Sequence, residues 1–382
     1  MYFGNQAYKF LMRKHVIITK LFDSGGSNTH FQTLVNYFGK ENVILVLENN
    51  KQLVHLNNII DGNLFKTKVL PRLHRIAHLN NLFTTNIKEL FLIIDSIITI
   101  LILSIKNGFA DITISAVEPE KHLYLLWLPF IKVTYILHSE PQLAMTKFTT
   151  FTCDCKLSKQ KVIVTVSNFM QQAIYKQWRI NHKKIKFVNV IYNCIVETDF
   201  EKKLKLVEPK KLYIITLGHV DIRKNPHTWL EVAKKVILER NNVEFIWLGN
   251  GPLLDLFKEK TKYTPRIVFF GLINNRQLYL EKSAIYYQPS IIEPQGIAVL
   301  EAMFNRLPCV VSNIGGLSES IQNKYNGILV NPRNIEENVT ALIHLLDNAE
   351  LRHSYGSNSF NRYQVLFTYN NFKTKMDVIY NN

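Results

Sequence analysis

Residues 287–319 read YQPSIIEPQGIAVLEAMFNRLPCVVSNIGGLSE. The apolar run Ile285-Tyr286-Tyr287 stops at Pro289-Ser290 and reads as a buried strand. Glu293 follows on a short turn. Gly296 then opens IAVLEAMFN, whose apolar spacing and good helix formers predict a helix. Glu301 falls in the second turn of that helix, so two glutamates flank a strand–loop–helix junction with seven residues between them. After Arg306-Leu307-Pro308 the run CVVSN predicts a second strand, leading to Gly315-Gly316 and Glu319.

The chemistry of such a junction favours an anion. The first N–H groups of a helix have no partner inside it, and the helix dipole adds partial positive charge there. Gly296 lacks a Cβ, so a phosphate can approach the backbone. Carboxylates suit a different group: an ionised Glu only accepts hydrogen bonds, and sugar hydroxyls donate them. Amides at Gln295, Gly296 and Ile297 between Glu293 and Glu301 therefore point to a ligand with a phosphate and hydroxyl-rich ends.

At 382 residues the chain exceeds one ordinary core and predicts two domains. Its composition, 47% hydrophobic and 20% charged, is that of a globular protein. A net charge of +16 suggests anionic partners such as nucleotides, acidic glycans or a negatively charged membrane surface. No arginine- or lysine-rich block or zinc pattern points to nucleic acid. Of the cysteines, Cys153 and Cys155 are close, while Cys194 and Cys309 supply no matching pair for zinc, so reduced thiols are expected. No signal peptide is read at the N-terminus, and a cytoplasmic location is expected. Leu90–Ile105, LFLIIDSIITILILSI, is strongly apolar but short and carries Asp95. A span needs about twenty apolar residues, so a core helix or one docked on lipid is the reading.

Along the chain, residues 1–14 read as a loose extension and HVIITKL from His15 as the first parallel strand. Gly25-Gly26 then feeds the helical pattern NTHFQTLVNYF, a turn able to cradle phosphate. Further strands are predicted at Val43–Leu47, Thr67–Leu70, from Asp111, at Val133–Leu137 and from Lys161, with a long helix around 87–105. His138 follows a strand directly, and ligands of open α/β sheets lie beyond the carboxyl ends of strands. A Lys-rich linker, Glu201–Lys211, precedes a restart of the pattern. LYIITLGHV runs into Gly218, DIRKNP leads into a helix from His227, and VEFIWLGNGP gives another strand with Gly249 in its turn. Two tandem sets of alternating strands and helices predict an α/β protein with two Rossmann-like domains.

The opening stretch resembles the Glu-x7-Glu signature of retaining GT-B glycosyltransferases of family 4, usually E-G-F-G-x4-E-A-M-A-x-G-x-P-V-V-A-S-x2-G-G-x2-E. Pro294 and Gln295 replace its first Gly and its aromatic. Asn305 is read at the last Gly before Pro, a conservative swap because Asn tolerates φ > 0. Other stretches resemble the same family. Gly25-Gly26 begins a G-G-x-x-x-H pattern, and His138-Ser139-Glu140 is similar to its strand-terminal His-Asp or His-Glu. KFVNVIYNCIVETDF is similar to I-x-N-G-V-D-x3-F with Cys194 for Gly. The family's Gly-Arg…Lys turn, which contacts the donor diphosphate, is matched by Gly218-His219 and Lys224. His219 stands where Arg is usual and cannot make a bidentate phosphate contact, so Arg223 is a candidate substitute.

The resemblance implies a GT-B fold, with domains over residues 1–200 and 201–360 facing across a cleft and a final helix, 361–382, returning to the first. It implies a metal-independent transferase using a nucleotide-diphosphate sugar, UDP-type, with no cofactor. Gly25, Gly26, Gly218, His219, Arg223, Lys224, Gly249, Gln295, Gly296, Ile297 and Glu301 would hold the donor, Glu301 through the ribose hydroxyls. Glu293 would bind the transferred sugar, and His138 that sugar or the acceptor's proton. The acceptor implied is a glycan or lipid-linked glycan of a bacterial surface polysaccharide, met at an anionic membrane. The alternative is a nucleotide-sugar-binding scaffold without turnover, suggested by His219 and by Pro294-Gln295. A dehydrogenase is disfavoured because no complete G-x-G-x-x-G follows either first strand.

Overall fold

The computed structural model describes residues 13–22, 25–59, 66–70, 87–118, 121–141, 147–195, 211–273 and 275–381. It divides into two compact units. One holds most of the chain up to Asn193 together with Asn370–Asn382, and the other holds Cys194–Tyr369. The expected linker lies almost wholly outside the described residues, as does most of the N-terminal extension.

The first unit is built on seven parallel strands: β1 (His15–Thr19), β2 (Val43–Leu47), β3 (Lys66–Val69), β4 (Asp111–Ala116), β5 (Val133–Leu137), β6 (Lys161–Thr165) and β7 (Val188–Val190). Their order is β3-β2-β1-β4-β5-β6-β7. β1, β2, β4, β5 and β6 are buried along their whole length. That explains their unbroken β-branched runs, since a parallel sheet covered on both faces needs apolar residues at every position. β3 alternates exposed and half-buried residues, as an edge strand does.

The second unit has six parallel strands: β8 (Leu212–Leu217), β9 (Val243–Leu248), β10 (Ile267–Gly271), β11 (Ile285–Gln288), β12 (Cys309–Ser312) and β13 (Gly327–Val330). They run in the order β10-β9-β8-β11-β12-β13. Trp229, Trp247, Phe245 and Phe269 pack edge-on and stacked at the centre of its core. Trp229 Nε1 donates to Thr216 Oγ1 at 2.7 Å, so the indole is buried without an unpaired donor.

The helices used below are α1 (Gly26–Phe38), α2 (Ile87–Lys106), α3 (Pro226–Glu239), α4 (Arg276–Lys282), α5 (Ile297–Phe304), α6 (Ala349–Leu366) and α7 (Tyr369–Asn381). The aromatic-rich tail is two helices that break at Phe367 and Thr368. α6 stays with the second unit, whereas α7 packs on the first. There Tyr37 OH donates to Asp377 at 2.9 Å, and the Tyr380 and Thr113 hydroxyls meet at 2.6 Å in the core. Lys132 Nζ also donates to the Ile379 carbonyl. No disulfide joins the four cysteines.

One reading of the signature stretch needs correction. Asn305 was expected to supply a left-handed conformation, yet its φ is −81° and it ends α5. Arg306 takes the left-handed position instead, at φ +51°. A non-Gly residue there is strained, and the Arg306 guanidinium lies 3.9 Å over the Phe360 ring, which offsets part of the cost. The amide of Asn305 does other work: it bonds the Gln277 amide in both directions and the Glu301 carbonyl.

Candidate functional site

In the second sheet, β8 pairs with β9 on one side and β11 on the other, so strand order reverses between β8 and β11. Loops leaving those two carboxyl ends diverge and open a crevice where ligands of open α/β sheets bind. Gly218, His219, Arg223 and Lys224 follow β8, and Glu293, Gln295 and Gly296 follow β11. The sequence-predicted donor residues of this unit are thus gathered at one switch point.

The turn after β8 is held from beneath. The Gly218 carbonyl accepts from Trp247 Nε1 at 2.8 Å, and a Cβ at Gly249 would lie 2.0 Å from that same oxygen. Gly218 itself has φ +133°, and a Cβ there would press on the Lys224 side chain at 3.1 Å. Glycine at both positions follows from the close approach of two turns. Asp221 caps the next short turn through the Lys224 N–H (3.2 Å). Asp221 also accepts from Arg223 Nη2 at 2.6 Å, so Arg223 turns to a mostly exposed pair on its own loop.

Lys224 reaches across to Glu293 in an ion pair, each side chain only 12–13% exposed. The sequence reading gave Lys224 to the donor diphosphate and Glu293 to the transferred sugar. The structure brings them together, so either can be released from the other as ligand groups arrive. Gln288, fully buried at the end of β11, also holds Glu293, its Nε2 donating at 3.0 Å to the same Oε2 that Lys224 meets. Tyr286 OH in turn donates to Gln288 Oε1 at 2.5 Å. This Tyr286–Gln288–Glu293 chain was not read from the sequence, although the alternation of YYQ on one strand face places it.

Gly296 caps α5 at φ +91° without any side-chain bond to the helix N-terminus. A carboxylate or hydroxyl cap is therefore lacking where an anion would fit. Glu301 is buried in α5, and burial raises its pKa while Arg276 opposes the rise. Arg276 Nη2, at the start of α4, stands 2.8 Å from Glu301 Oε1. That partner was not anticipated. Gly315-Gly316 also gains a reason: a Cβ at Gly316 would lie 2.0 Å from the Pro294 carbonyl, and the Gly316 N–H donates to the Glu293 carbonyl at 3.1 Å. The second Gly of the signature holds the glutamate loop in place. Among the described residues no group of His, Cys, Asp and Glu side chains could hold a metal ion.

Gly25 (φ +124°) and Gly26 open α1, as the turn reading expected. His138 follows β5 in the first unit, its N–H bonded to the Ala116 carbonyl and its Nε2 3.0 Å from Ser115 Oγ. Its ring meets His30 edge-on at 4.2 Å. His30 ends the G-G-x-x-x-H pattern, is buried, and bonds Asn193 Oδ1 through Nδ1 at 2.8 Å. Burial holds both rings below the ordinary histidine range, His30 down to about 4, and His30 further depresses His138.

These shifts set an acid limit. A depressed histidine pKa means the unfolded chain takes up protons first, so the stabilisation is complete above pH 6.5 and lost as pH falls toward 4. His15, lowered to about 3 by burial and by Arg13 and Lys132, acts in the same direction. Asp111, raised to about 6 by burial, opposes them: its contribution is full below 3.8 and lost as pH rises through 6. Glu140 and Glu301, also raised by burial, act as Asp111 does, and the four lowered histidines, His15, His30, His122 and His138, outweigh the three carboxylates. Thermal melts should show stability falling from pH 7 to pH 5, and His30→Gln should flatten that dependence.

The fold is GT-B, two parallel-sheet Rossmann-like domains. Residues 197–362 match the family model of Glycosyl transferases group 1. The chain is 31% identical over 188 residues to an uncharacterized glycosyltransferase of Methanocaldococcus jannaschii, covering 45% of this chain and 47% of that protein. It is 29% identical over 165 residues to the UDP-Gal:alpha-D-GlcNAc-diphosphoundecaprenol alpha-1,3-galactosyltransferase of Escherichia coli, covering 41% and 42%. These matches span less than half the length of the curated relatives. A solved glycosyltransferase from Rickettsia africae superposes with a TM-score of 0.74 over 96% of this chain and 98% of that one, at 17% identity. That likeness shows the fold.

Proposed function

We propose that this chain is a retaining, metal-independent glycosyltransferase moving a sugar from a nucleotide-diphosphate sugar, UDP-type, to a glycan or lipid-linked acceptor in bacterial surface polysaccharide synthesis. The observation that carries the reading is the Lys224–Glu293 pair beside the uncapped N-terminus of α5, at the switch point of the second sheet. A departing nucleoside diphosphate needs its growing charge stabilised, and Lys224 with the amides of Gln295, Gly296 and Ile297 supplies positive charge without a metal. Glu293, freed from Lys224, then accepts from hydroxyls of the transferred sugar, and Glu301 from those of the ribose. His138, neutral at pH 7, is the proposed contact to the sugar or base for the acceptor. The retaining assignment rests on the Glu-x7-Glu resemblance. The named activity of the E. coli relative supports a UDP donor and a lipid-linked acceptor. The test is release of nucleoside diphosphate from a panel of nucleotide sugars in the presence of EDTA. A scaffold without turnover is not favoured, since Lys224, Glu293 and Glu301 are all present at the site.

The same proposal places the chain on the inner face of an anionic membrane. Among the described residues no helix is long and apolar enough to cross one. α2 buries Ile93, Ser96, Ile100 and Leu103 but exposes Phe91, Ile94, Ile98, Ile102 and Ile105 along its other side. With the basic net charge of +16, that stripe suits peripheral contact. At low salt the protein should sediment with liposomes containing anionic lipid, and Ile98→Asp/Ile102→Asp should lower the bound fraction several-fold. Absence of sedimentation by the parent protein contradicts the membrane part alone.

A further inference from the structure

Arg276 is the first residue of α4, and its position is a poor one for α4 itself. The N-terminus of a helix carries partial positive charge, so a cation in the first turn is unfavourable there. α4 has no acidic residue in that turn to offset it, and its N-cap, Asn275, makes no side-chain bond to the helix. The guanidinium instead meets a carboxylate on another helix, with Arg276 Nη2 2.8 Å from Glu301 Oε1. The Arg276 side chain is 52% exposed and that of Glu301 only 10%, so the cation reaches in from the surface to a buried anion.

The next residue of α4 addresses the same glutamate. Gln277 exchanges hydrogen bonds with the Asn305 amide at 2.9 and 3.1 Å, and Asn305 Nδ2 donates at 2.9 Å to the Glu301 carbonyl. Two consecutive residues thus hold Glu301, one at its carboxylate and one, through Asn305, at its backbone. Among the described residues Arg276 is the one cation paired with that carboxylate. A largely buried carboxylate without its counter-charge gains by taking up a proton or by turning toward water. Turning away loses a bound hydroxyl. Protonation weakens the bond to it, since charge-assisted hydrogen bonds are roughly twice as strong as neutral ones.

We propose that Arg276 is a positioning residue for nucleotide recognition: by holding the Glu301 carboxylate it sets how strongly the site prefers a ribose to a ring without its hydroxyls. The assignment rests on the reading of Glu301 as the acceptor for ribose hydroxyls. It adds a residue that touches no ligand and acts through Glu301 alone.

The test is titration calorimetry of the full chain with UDP and with dideoxy-UDP, which lacks both ribose hydroxyls. The parent should bind UDP roughly tenfold or more tighter than dideoxy-UDP. Arg276→Gln should bring the two affinities to within about threefold, by weakening UDP and leaving dideoxy-UDP nearly unchanged. Arg276→Lys keeps the charge and should restore most of the preference. Glu301→Gln tests the underlying reading and should erase the preference by itself. If it does so while Arg276→Gln does not, the positioning role is overturned and the ribose assignment stands. A lower melting temperature for Arg276→Gln with the preference intact would mean a structural ion pair only, and overturns the role as well. If Glu301→Gln leaves the preference unchanged, or the parent shows none or binds neither nucleotide, the ribose assignment fails first and the role of Arg276 falls with it.

Discussion

Lys224→Ala is expected to lower kcat for donor cleavage by roughly 10²–10³-fold, the range seen when one preorganised charge-stabilising donor is removed. Arg223, drawn to Asp221 on an exposed turn, is expected to make up only part of that charge. The loss should fall mainly on kcat, since the diphosphate carries more negative charge on departing than in the donor. A second consequence follows from the pairing. Without Lys224, Glu293 keeps only the Gln288 donor in a largely buried setting, so a carboxylate is left partly uncompensated. Lys224→Ala together with Glu293→Gln should therefore recover folding stability relative to the single variant but recover no turnover. Steady-state assays with denaturant titrations separate the two effects. Unchanged turnover in purified Lys224→Ala would remove the diphosphate assignment.

The other large effect is structural. Gly316→Ala should destabilise the second unit by on the order of 3 kcal/mol and abolish transfer. The added methyl would stand 2.0 Å from the Pro294 carbonyl and 2.7 Å from Gln295 Cα, and neither is a flexible side-chain end that can swing aside. The backbone of the glutamate loop must move, carrying Glu293 off the line joining Gln288 and Lys224. For a unit of this size the thermal midpoint should fall by roughly 5–10 °C. Gly108→Ala separates the two causes, close contact and backbone strain, since a Cβ there meets nothing within 4 Å and its φ of +73° should cost only the left-handed strain of about 1–2 kcal/mol. A melting temperature for Gly316→Ala within about 1 °C of the parent would mean the loop is not held as described.

Strands were legible where the parallel sheet demands apolar residues at every position: Val43–Leu47 and Val133–Leu137 are observed with the bounds read from their runs. β7, three residues long and only partly buried, gave no such run and was missed. The tail's aromatics announced packing, yet nothing local showed that it would divide at Phe367 between two units. In the candidate site, residue types and spacing singled out Glu293, Gly296 and Glu301, because a turn and a helix start are local features, and the family resemblance added Lys224. Their partners were not legible. Lys224 and Glu293 are 69 positions apart, and Arg276 reaches Glu301 from another helix. Such pairings are set by which strands lie side by side. The misreading of Asn305 has a simpler origin: a propensity for φ > 0 was assigned one residue early, and a ring under Arg306 supports what its own propensity opposes.

The most direct test of the central claim is nucleoside diphosphate release from a panel of nucleotide sugars, with EDTA present, by the parent chain and Lys224→Ala. The donor-site account predicts release from at least one UDP-sugar by the parent, undiminished by EDTA and nearly absent in the variant. Binding across the panel without release, or release that EDTA abolishes, would contradict it.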